Sequence, residues 1–160
     1  MIKKGHILMN INFRRAVIED IDKLIEVQNR SFHEDYIKYN ECPSYNESKE
    51  DMFNYISNCI VYVIECSCEI VGDIIIRKID EENYYLRVLC IVPEFHNLGI
   101  GQKAIEFIEK DNTKAKKWEL ITPFESVRNH YFYQKMGYIK VGEYKHSDIL
   151  TMFKYAKEVE

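Results

Sequence analysis

The stretch Leu89-Cys90-Ile91-Val92-Pro93-Glu94-Phe95-His96-Asn97-Leu98-Gly99-Ile100-Gly101-Gln102 carries the residue types best suited to gripping an anion. An apolar run stops at a proline, and two glycines then open an amphipathic segment. The first N–H groups of a helix have no internal acceptor and carry a positive partial charge. Glycine leaves that backbone uncovered, so a phosphate oxygen can come close. The pattern suits a diphosphate. It is not a P-loop, because no Gly-Lys-Ser/Thr follows, and it lacks the third glycine of a dinucleotide fingerprint. A second stretch, Ser126-Val-Arg-Asn129-His-Tyr-Phe-Tyr133-Gln-Lys-Met-Gly137-Tyr138, reads as a helix closed by glycine. On it Phe132 and Met136 mark the buried side, with Asn129 and Tyr133 beside them and about 40° apart. Periodicity alone makes Tyr133 a partly buried helix tyrosine, at the rim of the core face where a hydroxyl could reach a pocket.

Regular elements must position these groups. Ile11 to Val17 alternates as a strand, and Ile21, Leu24, Ile25, Gln28 and Phe32 fall at helical spacing. His33 to Ser48 is polar, tyrosine-rich and broken at Pro43, which predicts a loop or a pair of short turns. Lys49 to Ser57 predicts a second helix; Cys59 to Glu65, Glu69 to Ile79 and Tyr84 to Val92 predict three strands. Gly99 to Lys110 is the clearest helix, with Ile100, Ala104, Ile105, Phe107 and Ile108 on one face. Trp118 to Thr122 is a strand, and Tyr138 to Tyr144 and Leu150 to Tyr155 are the last two. Consecutive strands imply antiparallel pairing, and the strand–helix–strand unit a parallel crossover. The expected fold is therefore α/β, a single domain over residues 11–160 with residues 1–10 as an N-terminal extension. Its core would be a mixed six- to seven-stranded sheet with helices on both faces.

Composition narrows the function. At 160 residues the chain is too short for two sizeable cores. A net charge of −4 with no run of Lys or Arg argues against nucleic acid or an anionic membrane as partner. The five cysteines have neither zinc spacing nor an even count, which fits reduced thiols in a cytoplasmic protein. No stretch is apolar enough for a signal peptide or a membrane span.

Both stretches resemble signatures of the GNAT superfamily of N-acetyltransferases. The first resembles Gln/Arg-x-x-Gly-x-Gly/Ala, matched by Asn97 to Gly101, with His96 where Gln or Arg is usual. The second resembles Asn-x-x-Ala-x-x-x-Tyr-x-x-x-Gly-Phe, matched at Tyr133, Gly137 and the aromatic Tyr138. Ser126 stands at its Asn position and Asn129 at its Ala position. The resemblance implies acetyl-CoA as cosubstrate and no metal. It implies cofactor contacts from Leu89, Cys90, Ile91, Val92, His96, Asn97, Leu98, Gly99, Ile100, Gly101, Gln102, Ser126, Asn129 and Tyr133. Tyr133 would protonate the departing thiolate while an amine attacks directly, so that Cys90 is a packed thiol rather than an acyl carrier. The acceptor would be a primary amine of a small molecule or peptide, lined by Phe32, Tyr36, Tyr45 and Glu125. The base stays open among Glu125, Glu34, Asp35 and Tyr45. The alternative is a non-catalytic module that binds a CoA thioester. A homodimer through a sheet edge also stays open.

Overall fold

The strand β5 (Glu69–Lys78) explains the architecture, because Val71 to Ile76 are all buried, as only a strand covered on both faces can be. The computed structural model describes residues 1–160. A hairpin of β1 (Ile2–Lys4) and β2 (Ile7–Met9) precedes β3 (Ile11–Arg15). Then come α1 (Ile21–Tyr39), α2 (Lys49–Asn58), β4 (Ile60–Cys66), β5 and β6 (Asn83–Ile91). The second half is α3 (Ile100–Asp111), β7 (Lys117–Pro123), α4 (Val127–Lys135), β8 (Ile139–Lys145) and β9 (Thr151–Glu158). Seven strands form one sheet in the order β3-β4-β5-β6-β7-β9-β8. Every pairing is antiparallel except β6 with β7, the pair bridged by α3. Helices α1 and α2 pack on each other and on β4, β5 and β6. On the opposite face Phe107 of α3 stacks on Phe13 and meets Tyr62 edge-on. The α/β domain with a mixed sheet between helices is the expected one. No helix is long and apolar enough to cross a membrane.

One expectation is corrected. His33 to Tyr39 is not loop but the end of α1, which stops at Asn40 in the left-handed region (φ 52°). Its polar composition masks the helix, because the residue that anchors this last turn, Tyr39, is buried against Leu150 and Met152 from the far end of the chain. The remainder of the interval, to Ser48, lies outside helix and strand. Residues 1–10, set apart in the sequence as an extension, form the hairpin turned at Gly5, and Ile2 reaches the main core.

Two features of the central strands shape the site. Gly72 faces Ile91, and the strands run so close there that a Cβ on Gly72 would lie 2.0 Å from the Cys90 carbonyl oxygen. The β5–β6 register also slips at Arg87, since Ile75 faces Val88 while Ile76 faces Leu86. A bulge of this kind bends its strand and raises the local twist. Beyond it, β6 and β7 no longer pair: their ladder covers only Asn83 to Tyr85 against Lys117 to Glu119.

Candidate active site

Where β6 and β7 part, the sheet has a notch, and two cavities border it. The larger, about 610 Å³, runs from Leu89, Cys90 and Ile91 of β6 along the start of α3 to α4. The smaller, about 280 Å³, lies toward Tyr85 to Leu89 on β6 and Leu120 to Pro123 on β7. Five residues line both: Phe32, Asp35, Leu89, Asn129 and Tyr133.

The larger cavity contains the glycine turn. Gly99 takes a left-handed conformation (φ 81°) as the residue before α3, and no side chain caps the helix. The amides of its first turn are therefore free to meet an anion. At Gly101 a Cβ would press on the Phe132 ring at 3.1 Å, so glycine here lets α4 pack close to the same turn. His96, Asn97, Gly99, Ile100, Gly101, Gln102, Ser126 and Asn129 all line this cavity. Val92 and Leu98 do not. Val92 is in the core, its N–H given to the Val71 carbonyl, and Leu98 packs against that core.

His96 has two partners. Its Nε2–H donates to the Ile91 carbonyl at 2.6 Å, and Nδ1 lies 2.9 Å from Arg128 Nη1. A guanidinium only donates, so Nδ1 must accept and the ring is neutral. Burial, followed by the Arg128 charge, keeps the His96 pKa below its ordinary value. His96 thus ties the end of β6 to Arg128 on α4. Arg128 and Lys135 face the cavity with no carboxylate partner, as cations awaiting an anionic ligand would. Sequence reasoning missed both. The signal was present, since Arg128, Phe132 and Lys135 sit at i, i+4 and i+7 on one face of α4. Arg128→Ala is expected to weaken binding of a phosphate-bearing cosubstrate in this cavity, raising its KM about five- to tenfold with kcat little changed, as loss of one exposed charge-assisted contact should. Steady-state kinetics checks this, and the effect should shrink at high salt.

Tyr133 is buried at the junction of the cavities, and its hydroxyl has no hydrogen-bond partner in the protein. Burial drives its pKa far above the ordinary phenol value, so it stays protonated. Asn129 beside it donates to Thr122 Oγ1 at 3.1 Å, which ties α4 to β7. Asp35 of α1 is half-buried at the same junction, makes no hydrogen bond or ion pair, and has its pKa raised by desolvation. Of the side chains expected at an acceptor, Phe32 lines both cavities. Tyr36 and Tyr45 instead stack on each other at 4.5 Å outside them. Glu125 also lies outside, 3.6 Å from Lys38 on the surface.

Cys90 lines the larger cavity, yet its thiol donates to Asp73 Oδ1 at 2.9 Å. Burial and the facing carboxylate push the thiol well above its ordinary pKa, while burial lifts Asp73 to about 6. A thiol held protonated in this way is a poor nucleophile. No group of three His, Cys, Asp or Glu is arranged to hold a metal ion.

Comparison with known proteins agrees with this geometry. A PaiA N-acetyltransferase from Thermoplasma acidophilum, solved with coenzyme A, superimposes with a TM-score of 0.79 at 22% identity, covering 94% of this chain and 99% of that one. A GNAT family acetyltransferase from Elizabethkingia anophelis with acetyl-CoA bound gives 0.70 at 20% identity, covering 94% and 99%. At such identities the likeness speaks for the fold alone. Bacillus subtilis YrkN is 34% identical over 98 residues, 60% of this chain and 52% of that protein, so the chain spans about half the length of that curated relative. The family model for the acetyltransferase (GNAT) domain matches residues 57–140, which run from the end of α2 through β4, β5, β6, α3, β7 and α4 to the start of β8. With the glycine turn, the notch and Tyr133 all inside that span, the chain belongs to the GNAT acetyltransferase family.

Proposed function

We propose that the protein transfers the acetyl group of acetyl-CoA to a primary amine by direct attack. The observation that carries this reading is the meeting of two cavities at Tyr133 and Asp35. One cavity has the free amides of α3 and two unpaired cations, as the phosphates of a coenzyme require. The other is smaller and is reached through the notch.

The two titratable groups at the junction have complementary states. Desolvation raises the Asp35 pKa, so its carboxylate is more basic than a solvated one, which suits it to take a proton from the acceptor ammonium. The freed nitrogen lone pair then attacks the thioester carbon, and the carbonyl π pair moves onto oxygen. Backbone N–H groups along the unpaired edge of β6 near Ile91 are the available donors to that oxyanion. The C–S bond breaks as the intermediate collapses, and Tyr133 gives its proton to the departing thiolate. The second proton on nitrogen returns the phenol to its neutral form. The net products are the amide, CoA thiol and one proton.

The test is to incubate the protein with acetyl-CoA and a panel of amines while a thiol reagent reports free CoA. Thiol release accelerated by an amine is the expected result. Saturable acetyl-CoA binding without any such acceleration would leave a thioester-binding module instead.

A further inference from the structure

The smaller cavity is lined by five ionisable groups in which a charge needs an account: Asp35, Glu41, Arg77, Arg87 and His146. Three are already answered within the protein. Arg87 donates to Ser44, Glu47 and Tyr55. Glu41 accepts from Ser147 and lies 3.4 Å from His146. Asp35 and Arg77 remain, of opposite sign, and neither has an ion pair or hydrogen bond from any side chain of the chain. Asp35 sits at the junction beside Tyr133. Arg77 is exposed, its guanidinium over the ring of Tyr85 at 5.3 Å. Arg77 faces Tyr85 across the β5–β6 ladder, and Leu89 at the junction is four residues further along β6. Tyr85 and Leu89 are about 13 Å apart along the strand, so Arg77, beside Tyr85, lies toward the end of the cavity away from the junction that Asp35 lines.

Taking this cavity as the acceptor site of the reading above, we infer that the acceptor is an amine carrying an anionic group on the same molecule, its ammonium on Asp35 and its anion on Arg77. A carboxylate is the simplest such group, because a guanidinium receives it through two parallel hydrogen bonds. Half-buried Asp35 gains from a cation at its end of the cavity, and exposed Arg77, free of any carboxylate, gains a smaller amount from an anion at the other. A zwitterion answers both ends at once. A monoamine leaves Arg77 without a partner, and a diamine sets a cation against it.

Three acceptors with the same six-carbon chain separate these cases: ε-aminocaproate, its primary amide and hexamethylenediamine. The expected order by kcat/KM places ε-aminocaproate about three- to fivefold above the other two, the scale of one ion pair to an exposed guanidinium. Arg77→Gln should collapse that ratio to near unity, an effect that a general loss of folding would not produce. Equal rates for acid and amide, a preference for the diamine, or a ratio unmoved by Arg77→Gln would overturn the inference. Turnover of none of the three, with another amine turned over, overturns it as well. Binding of acetyl-CoA measured separately by calorimetry distinguishes these failures from failure of the acetyltransferase reading, in which coenzyme binds and no amine of any kind releases thiol.

Discussion

Tyr133→Phe is expected to lower kcat about a hundredfold or more while acetyl-CoA binding and folding are unchanged. The substitution removes one oxygen and keeps the ring, which packs against Phe132 at 5.1 Å and Tyr138 at 5.7 Å between centroids. Because the hydroxyl has no protein partner, its loss orphans no donor or acceptor, so thermal stability should hold or rise slightly. The chemical loss is larger because a CoA thiol, of pKa ~8.5, leaves as an anion unless a proton arrives with it. The sign of the pH dependence follows from burial. A phenol whose pKa is raised keeps its proton to higher pH, so the wild type should show no loss of kcat from this group below the ordinary tyrosine range near ~10. Steady-state kinetics of both forms, with calorimetric Kd values for acetyl-CoA, checks it. Full turnover by the phenylalanine variant would remove Tyr133 as the acid.

Asp35→Asn is the second large effect, expected to cost about a hundredfold in kcat/KM at neutral pH with an alkylamine acceptor. Such an amine, with pKa near ~10.4, is almost wholly protonated there and must lose a proton before it can attack. In the wild type, activity falls as pH drops and Asp35 takes up a proton. Its pKa is raised by desolvation, so that fall should begin at higher pH than for a solvated carboxylate. The asparagine variant depends on amine already free in solution. Its rate should therefore climb with pH up to the pKa of the amine, and the deficit should close over that range. An acceptor of low pKa should show little deficit at any pH. Stability gives an independent check. A carboxylate whose folded pKa is raised by burial destabilises the fold as pH rises through that value, so the neutral amide should not lower the melting temperature near pH 7. A pH-independent deficit, equal for strongly and weakly basic amines, would mean that Asp35 only shapes the cavity.

The two effects separate by probe. Loss of Tyr133 should depend on the leaving thiol and not on the basicity of the amine. Loss of Asp35 should do the reverse. The double variant tests whether they act in one step, since groups that cooperate on a single transition state lose less together than the sum of their separate losses.

Much of this molecule is legible in one dimension. The apolar face of Ile100, Ala104, Ile105 and Ile108 names α3, and Gly99 ahead of it gives the turn its left-handed start. The register of Tyr133 and Gly137 marks α4, where Gly137 takes positive φ just past the helix end. These are local matters, decided by the periodicity of side chains and by the φ that glycine alone adopts without strain. The end of α1 was hidden because the stabilising partners of Tyr39 are Leu150 and Met152, which no window around Tyr39 contains. The same holds for the site. In the sequence Asp35 is one of four candidate bases, on a stretch that reads as loop, until the fold sets it at the junction that Tyr133 also lines. Arg128 looks like a surface cation until His96 turns toward it from the end of β6. The notch itself has no sequence signature, because it exists where β6 and β7 stop pairing beyond a bulge, and pairing belongs to two strands together. Local pattern alone located the glycine turn before α3 and the helix that carries Tyr133. Which carboxylate lines the junction with Tyr133, and which charges line the smaller cavity, followed from packing, since cavities are made by segments distant in the chain and their charges are set by what packing leaves unpaired.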